Sequence, residues 1–379
     1  MERLTDLCDI QYGYAFDSSC FTEDSSYPQL VRIRDVKRGY SETYYSGEYP
    51  DEYVLADGDL LIGMDGEFNI ARWKVEGALL NQRVCKVTAK EGTNEEYIRF
   101  FLSKCLKQIE ERTSFATVKH LSAKELNKIE IDIPSLEEQN NVADSLAKLE
   151  KVISLRKQEL THLDDLIKAR FVELFGDPLI NSLGLSTKPM TEVCEIIDGD
   201  RGKNYPTADE FADEGYCLFL NAKNVTSSGF NFNNCMFVSK EKDESLRKGK
   251  LSRGDVVLTT RGTLGNLAFY TEDIPYEHVR INSGMVILRM KREIVNEAYF
   301  IEQFKMQLAD IKDKIASGSA QPQLPISTMN KIQILIPDIE TQREFADFVV
   351  QVDKSKVVVR KALDEAQLLF DSLMQEYFG

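Results

Sequence analysis

The sequence predicts an α+β protein: two mixed α/β units in tandem, each followed by a long helix, the two helices forming an antiparallel coiled coil. Three observations lead there. The chain repeats itself, the front of each repeat alternates short apolar runs with Gly- and Asp-rich turns, and the back of each carries apolar residues at alternating steps of four and three.

The repeat is read directly. Leu4-Thr5-Asp6-Leu7-Cys8-Asp9-Ile10 returns as Met190-Thr191-Glu192-Val193-Cys194-Glu195-Ile196, and Ala56-Asp57-Gly58-Asp59-Leu60-Leu61-Ile62 as Ser252-Arg253-Gly254-Asp255-Val256-Val257-Leu258. Asn94-Glu95-Glu96-Tyr97 answers Asn296-Glu297-Ala298-Tyr299, and Asn127-Lys128-Ile129-Glu130-Ile131-Asp132-Ile133-Pro134 answers Asn330-Lys331-Ile332-Gln333-Ile334-Leu335-Ile336-Pro337. From there the halves run without a gap to Phe175-Gly176 and Phe378-Gly379. The repeat divides the chain into a first globular unit (1–134), a first helix (135–177), a second globular unit (178–337) and a second helix (338–379).

Within the globular units, Gly58-Asp59 and Gly254-Asp255 read as turns entering buried strands. Val31-Arg32-Ile33-Arg34 alternates with period two, which predicts a half-exposed strand with both arginines on one face. Helices are expected around residues 97–112 and 297–315.

The long helices announce themselves at their starts. Ser135 stands three residues before Glu138, a capping box, and Asp338 is the equivalent cap after Pro337. The seam then runs Val142, Leu146, Leu149, Ile153, Arg156, Leu160, Leu163, Ile167, Arg170, Leu174, and in the second half Phe345, Val349, Val352, Lys356, Val359, Leu363, Ala366, Phe370, Leu373, Tyr377. About forty residues at 1.5 Å each give a rod of roughly 60 Å. Two equivalent stripes in the same register imply antiparallel pairing about a pseudo-two-fold axis; two long core helices are the alternative. The polar seam positions Arg156, Arg170 and Lys356 set register or meet a partner.

Composition excludes several classes. The 379 residues hold 42% hydrophobic and 29% charged side chains, an ordinary globular balance. No apolar run approaches a membrane span of about 20 residues, and the first residues lack a signal peptide, so a cytoplasmic protein is expected. Seven cysteines without a Cys-x-x-Cys pair read as reduced, mostly buried thiols, and three histidines have no partner at metal-ligand spacing. Nucleotide-binding Gly-rich fingerprints, a phosphate loop and the Pro-Pro-aromatic motif of amino-methyltransferases are all absent, so no cofactor and no catalytic site are expected. The net charge of −15 runs against a chain that grips nucleic acid alone.

Two variable α/β units, each followed by a capped helix at Ile-Pro (Pro134, Pro337) with Glu137-x-Gln139 and Glu340-x-Gln342 just beyond, are similar to the specificity subunit of type I restriction-modification systems. Ser317-Gly318-Ser319-Ala320-Gln321-Pro322-Gln323-Leu324 and Thr260-Arg261-Gly262-Thr263-Leu264-Gly265 also resemble that family. The first half departs at both places, with Ser114-Phe115-Ala116-Thr117-Val118-Lys119-His120-Leu121 and Asp65-Gly66-Glu67.

The resemblance implies two target-recognition domains on double-stranded DNA, each docked on one half of a split asymmetric site, with the helices as a ruler. Its implied partners are two methyltransferase (modification) subunits carrying S-adenosylmethionine and a motor-endonuclease (restriction) subunit, with no membrane. Their DNA-binding surfaces would answer the charge deficit. Contact candidates are exposed polar loop residues with the donors and acceptors that base edges demand. In the first domain these are Gln11, Tyr12, Tyr14, Arg32, Arg34, Asp65, Glu67, Lys119 and His120, with Phe16 in the same first loop. In the second they are Arg201, Lys203, Asn204, Tyr205, Asn221, Lys223, Asn224, Arg261, Thr263, Gln321 and Gln323. Tyr12, Tyr14 and Phe16 have a core role as the alternative, and each charged residue that of a solvated surface group. Two rival functions stay open on the residues alone: a coiled-coil scaffold whose globular ends bind proteins, and an enzyme with an unrecognised site.

Overall fold

A computed structural model describes residues 1–112, 119–316 and 323–379. The chain forms two compact units, one of residues 1–157 with 361–379, the other of residues 158–360.

In the first unit, strands β1 (Cys8–Tyr12), β2 (Leu60–Gly63), β3 (Ile70–Arg72) and β4 (Val84–Ala89) make an antiparallel sheet ordered β1-β4-β2-β3, with Cys85 opposite both Tyr12 and Ile62. Helix α1 (Glu95–Arg112) buries Tyr97, Ile98, Phe101 and Leu102 with the sheet residues Leu60, Ile62, Cys85 and Val87. On the sheet's other side Val31, Leu61, Trp73, Leu80 and Val84 form a second core. Glu2–Arg3 pairs with Glu130–Ile131, which ties the start of the unit to the strand that precedes helix α2 (Leu136–Phe175).

The second unit repeats this plan. Strands β5 (Cys194–Asp198), β6 (Val256–Thr259), β7 (Leu267–Phe269) and β8 (Met285–Met290) are ordered β5-β8-β6-β7, and all their pairings are antiparallel. Helix α3 (Glu297–Ala316) covers one face, and Thr187–Pro189 pairs with Gln333–Leu335 ahead of helix α4 (Ile339–Phe378). The extra length of this half adds the hairpin of Val225–Thr226 with Gly229–Phe230.

Both long helices begin as their caps dictate. Glu138 N–H donates to Ser135 Oγ (3.3 Å) while Ser135 N–H donates to Glu138 Oε2 (3.1 Å), and Asp338 Oδ2 accepts from Glu340 and Thr341 N–H. Each helix runs 40 residues. In the first unit the start of α2 packs beside the end of α4, through Leu146, Phe370 and Met374. In the second unit the end of α2 packs beside the start of α4, through Ile167, Phe171, Phe175, Phe345 and Val349. The pairing is thus antiparallel in each. Lys356 lies in this seam and bonds Asp164 (2.6 Å) and Asp353 (3.1 Å), so the polar seam position is an ion-pair site.

Two sequence readings change. The heptad seam holds in the middle of each helix and drifts at its C-terminal end. There Ile167, Phe171, Phe175 and Phe370, Met374, Phe378 face the core, while the expected Tyr377 is exposed and Arg170 pairs with Glu173. Successive steps of four, longer than the 3.6-residue turn, rotate the apolar stripe around each helix, so that its end faces the globular core as well as the partner helix. Phe378 packs on Tyr97 and Phe101, and Phe175 on Tyr299.

The period-two strand at residues 31–34 is also not formed. The strand ends at Val31, and Ile33–Val36 is a helical turn. Asp35, 2% exposed, is the cause: its Oδ2 accepts Arg32 N–H (3.0 Å) and Ser41 Oγ–H (2.9 Å), a local side-chain bond that competes with the ladder. Arg32 stays extended at the cap and Arg34 lies within the turn, so the two no longer share the face of one strand. Both remain exposed.

Among the described residues all seven cysteines are free thiols, no cluster of His, Cys, Asp and Glu suits a metal ion, and no helix is long and apolar enough to cross a membrane.

Candidate nucleic-acid interface

Sheet topology gathers residues that differ between the two halves. The C-terminal ends of β1 and β2 and the N-terminal end of β4 lie at one edge of the first sheet, since Cys85 faces Tyr12 and Val84 faces Gly63. The loops leaving that edge, 13–16, 64–69 and 81–83, are laced together by Tyr14 N–H to Leu80 O (3.0 Å) and Met64 N–H to Arg83 O (2.9 Å). The segment after α1 joins them: Leu121 N–H donates to Met64 O (2.7 Å), Gly66 N–H to Lys119 O (2.9 Å), and Asp65 bridges His120.

The same edge of the second sheet is built alike. Thr260 N–H donates to Gly284 O (2.8 Å), Leu324 N–H to Thr260 O (3.1 Å), and Arg261 bridges Gln323. Two glycine positions make the construction possible. A Cβ on Gly13 would stand 2.0 Å from Asn81 O, and one on Gly199 2.2 Å from Asn282 O, so only glycine lets these loops touch. Gly66 and Gly262 turn with φ of 72° and 73°, a left-handed conformation that favours glycine.

Of the first-domain candidates, Asp65, Lys119 and His120 thus meet, with Glu67 exposed on the same loop. Asp65 bonds His120 Nδ1 (2.5 Å) and lies 3.4 Å from Arg83 Nε, and Lys119 pairs with Glu110 (2.9 Å). Tyr14 is exposed, its ring against Phe16 and Tyr53, while Phe16 is core. Gln11 donates to Glu52 O (2.7 Å) and Tyr12 to Asn127 Oδ1 (3.1 Å), so both side chains also hold structure.

In the second domain Arg261, Thr263 and Gln323 are exposed together, and Arg201 joins them by donating to Ser283 O and Asp198 Oδ1 (both 3.1 Å). Lys203 and Lys223 are exposed. Asp200 anchors the Arg201 loop by accepting Gly202 N–H (2.8 Å) and Arg247 N–H (2.7 Å); the Gly202 bond above all holds its carboxyl below the usual range. Gln321 lies outside the described residues.

Asn224 is corrected. It is 1% exposed, its amide donates to Asn231 O and Asn234 O (both 3.0 Å), and its oxygen accepts Asn221 N–H (2.9 Å), so it ties a loop and has no free edge. Tyr205 packs edge-on against Phe219 and Asn204 donates to Ser245 O (3.0 Å), roles of support. Asn221 caps the turn by accepting Lys223 N–H (2.8 Å).

The sequence reading missed the 81–83 and 282–284 loops, which supply Arg83 and Ser283 to the two clusters. The signal was present: Asn81 and Asn282 stand at equal distances before Val84 and Met285, which begin matching strands.

Comparison with known proteins agrees with this architecture. Residues 1–164 and 184–366 each match the family described as the type I restriction modification DNA specificity domain. The EcoBI specificity subunit of a type I restriction enzyme, from Escherichia coli, is 27% identical over 98% of this chain and 84% of its own length. The MjaVIII specificity subunit from Methanocaldococcus jannaschii is 21% identical over 83% of this chain and 77% of its own. Among solved structures, the type I restriction-modification S subunit from M. genitalium superposes with a TM-score of 0.59 at 16% identity, covering 100% of this chain and 95% of that one. A chain from a structure of type I system assembly and conformational transition gives 0.52 at 18% identity, covering 100% and 96%. The duplicated match, with the duplicated sheet and helix that underlie it, places this chain in the type I restriction-modification specificity-subunit family, whose members recognise DNA and do not themselves catalyse.

Proposed function

We propose that each globular domain reads one half of a bipartite, asymmetric DNA site, the paired helices fix the unread spacer, and the helices and domains dock two modification subunits and a motor-endonuclease subunit. One observation carries this reading. Residues that hold the frame recur in both halves (Gly13 and Gly199, Asn94 and Asn296, Tyr97 and Tyr299, Gln139 and Gln342), while the loops at the equivalent sheet edges differ in donor and acceptor character. Asp65, Glu67, Arg83 and His120 occupy one edge; Arg201, Arg261, Thr263 and Gln323 occupy the other. A scaffold has no reason to keep the frame and vary its tips in this way. Half-sites on one face of DNA recur about every 34–36 Å, a spacing that paired helices can fix. The net charge of −15 is compatible because modification subunits share the phosphate contacts.

The test is the methylated motif. The chain is co-expressed with a type I modification subunit and adenine methylation is mapped by long-read sequencing. A split motif is expected, with only one half changing when residues 1–133 are exchanged for those of a relative. A stable complex that adds no methylation would favour the protein scaffold instead.

A further inference from the structure

Asp65 and Arg261 hold the same place in their units: each follows a buried residue of the β2 or β6 exit, precedes a left-handed glycine, and bridges the segment after α1 or α3. Their chemistry is opposite. Arg261 is exposed beside the exposed Gln323, and its guanidinium makes no side-chain bond to the described residues. A guanidinium carries only donors, the complement of guanine O6 and N7.

Asp65 is enclosed. Its carboxylate, 21% exposed, accepts from His120 Nδ1 at 2.5 Å and faces Arg83 Nε at 3.4 Å, whereas His120 is 47% exposed. An ionised carboxylate only accepts, so the shared proton sits on Nδ1, and an imidazole carrying that single proton presents Nε2 as a bare acceptor. A lone acceptor in the major groove meets its complement in the exocyclic amino group of adenine (N6) or cytosine (N4), and finds none on guanine or thymine.

Resting on the half-site reading above, we propose that His120 Nε2 is a specificity-determining acceptor for such an amino group in the first half-site, with Asp65 as its positioning residue. In the second domain Arg261 stands where Asp65 does and offers donors, beside Gln323 at the place of His120. The two corresponding residue pairs therefore present different hydrogen-bonding groups to their half-sites.

The experiment uses the wild-type chain assembled with a type I modification subunit and duplexes of the mapped motif. The amino group of each adenine or cytosine in the first half is removed in turn, with purine replacing adenine and a 2-pyrimidinone replacing cytosine. One position is expected to lose about tenfold or more in affinity, and adenine or cytosine at that position identifies the base. In a His120→Ala complex the same removal should cost nothing. Asp65→Asn, whose amide supports either tautomer, should relax the base preference at that position in the methylated motif while the second half stays unchanged. Loss of methylation at every site in Asp65→Asn alone would give Asp65 a purely structural role and overturn its assignment. If no amino group in the first half matters to the wild-type complex, the His120 proposal fails while the split motif stands. Absence of a split motif in the wild type fails the half-site reading itself.

Discussion

Gln139 and Asn94 are joined across 45 residues: Asn94 N–H donates to Gln139 Oε1 (2.8 Å) while Gln139 Nε2 donates to Pro134 O (3.0 Å). One buried amide thus fastens the start of α1, the strand end before α2 and the first turn of α2. Gln342 repeats it, accepting Asn296 N–H (2.9 Å) and donating to Pro337 O (3.0 Å) and Ile294 O (3.2 Å). The Glu-x-Gln pattern beyond each Ile-Pro is explained by this junction.

Replacing Gln342, which is 0% exposed, with Leu leaves a buried N–H and two carbonyls without their partner. A loss of about 2–3 kcal/mol is expected, at the upper end of the range for unsatisfied buried groups. Urea unfolding followed by circular dichroism measures it. An unchanged midpoint would show that water restores the bonds.

Phe345 touches the rings of Phe171, Phe175 and Tyr299 at centroid distances of 5.5, 5.6 and 6.4 Å, and is 1% exposed. Phe345→Ala is expected to cost about 3–5 kcal/mol. The measurement is a thermal scan, with binding of the modification subunit as a second readout because both long helices meet at this cluster.

Asp243 supplies an acid-sensitive joint. It is 1% exposed, binds Lys250 Nζ (2.5 Å) and the Arg280 guanidinium, and Arg280 also reaches Asp243 O (2.8 Å) and Leu246 O (3.1 Å). Burial pushes its carboxyl up, but the bonds to Lys250 and Arg280 outweigh burial and leave it below its usual value. A depressed carboxyl stabilises the fold above the unfolded value, near pH 4, and that stability is lost as pH falls toward the folded value. The second domain should therefore weaken below about pH 4. Asp243→Asn should remove much of that dependence and, by stranding the 5% exposed Arg280, cost about 3–5 kcal/mol at neutral pH. Acid titration of both proteins, followed by tryptophan-independent far-ultraviolet dichroism, decides it.

On the half-site reading, Arg261→Ala should weaken DNA binding by about 1–3 kcal/mol and relax one base position in the second half. Lys203→Ala should weaken all sequences alike and lower the salt slope by about one. Titration of the assembled complex with matched and mismatched duplexes across potassium chloride concentrations separates the two. Equal effects of Arg261→Ala on matched and mismatched duplexes would remove Arg261 from base reading.

The repeat made most of this architecture legible. Ser135 with Glu138, Asp338, and the apolar steps through Leu146, Ile153, Phe345 and Val352 encode the long helices locally, and those parts of the reading agree with the structure. What escaped depended on contacts distant in sequence or on a side chain overriding a pattern. Asp35 broke an apparent strand by capping a turn, and Asn224 looked like a loop donor until its three loop bonds were visible. Pairing of Arg83 with Asp65 and of Arg201 with Ser283 requires the β4 and β8 entrances to fold back to the sheet edge, which strand topology decides and periodicity does not.

The end of α4 completes a core whose other residues all precede residue 148: Lys104 bonds Met374 O across 270 residues, and Phe378 covers Tyr97 and Phe101. At ribosomal speeds of about 5–20 residues per second, those aromatic rings emerge tens of seconds or less before their cover. Throughout that interval the first domain exposes an apolar site that its own chain has yet to make. A nascent or truncated product lacking the last turns of α4 therefore displays a sticky surface, and quality-control machinery can distinguish it from the finished protein by that alone.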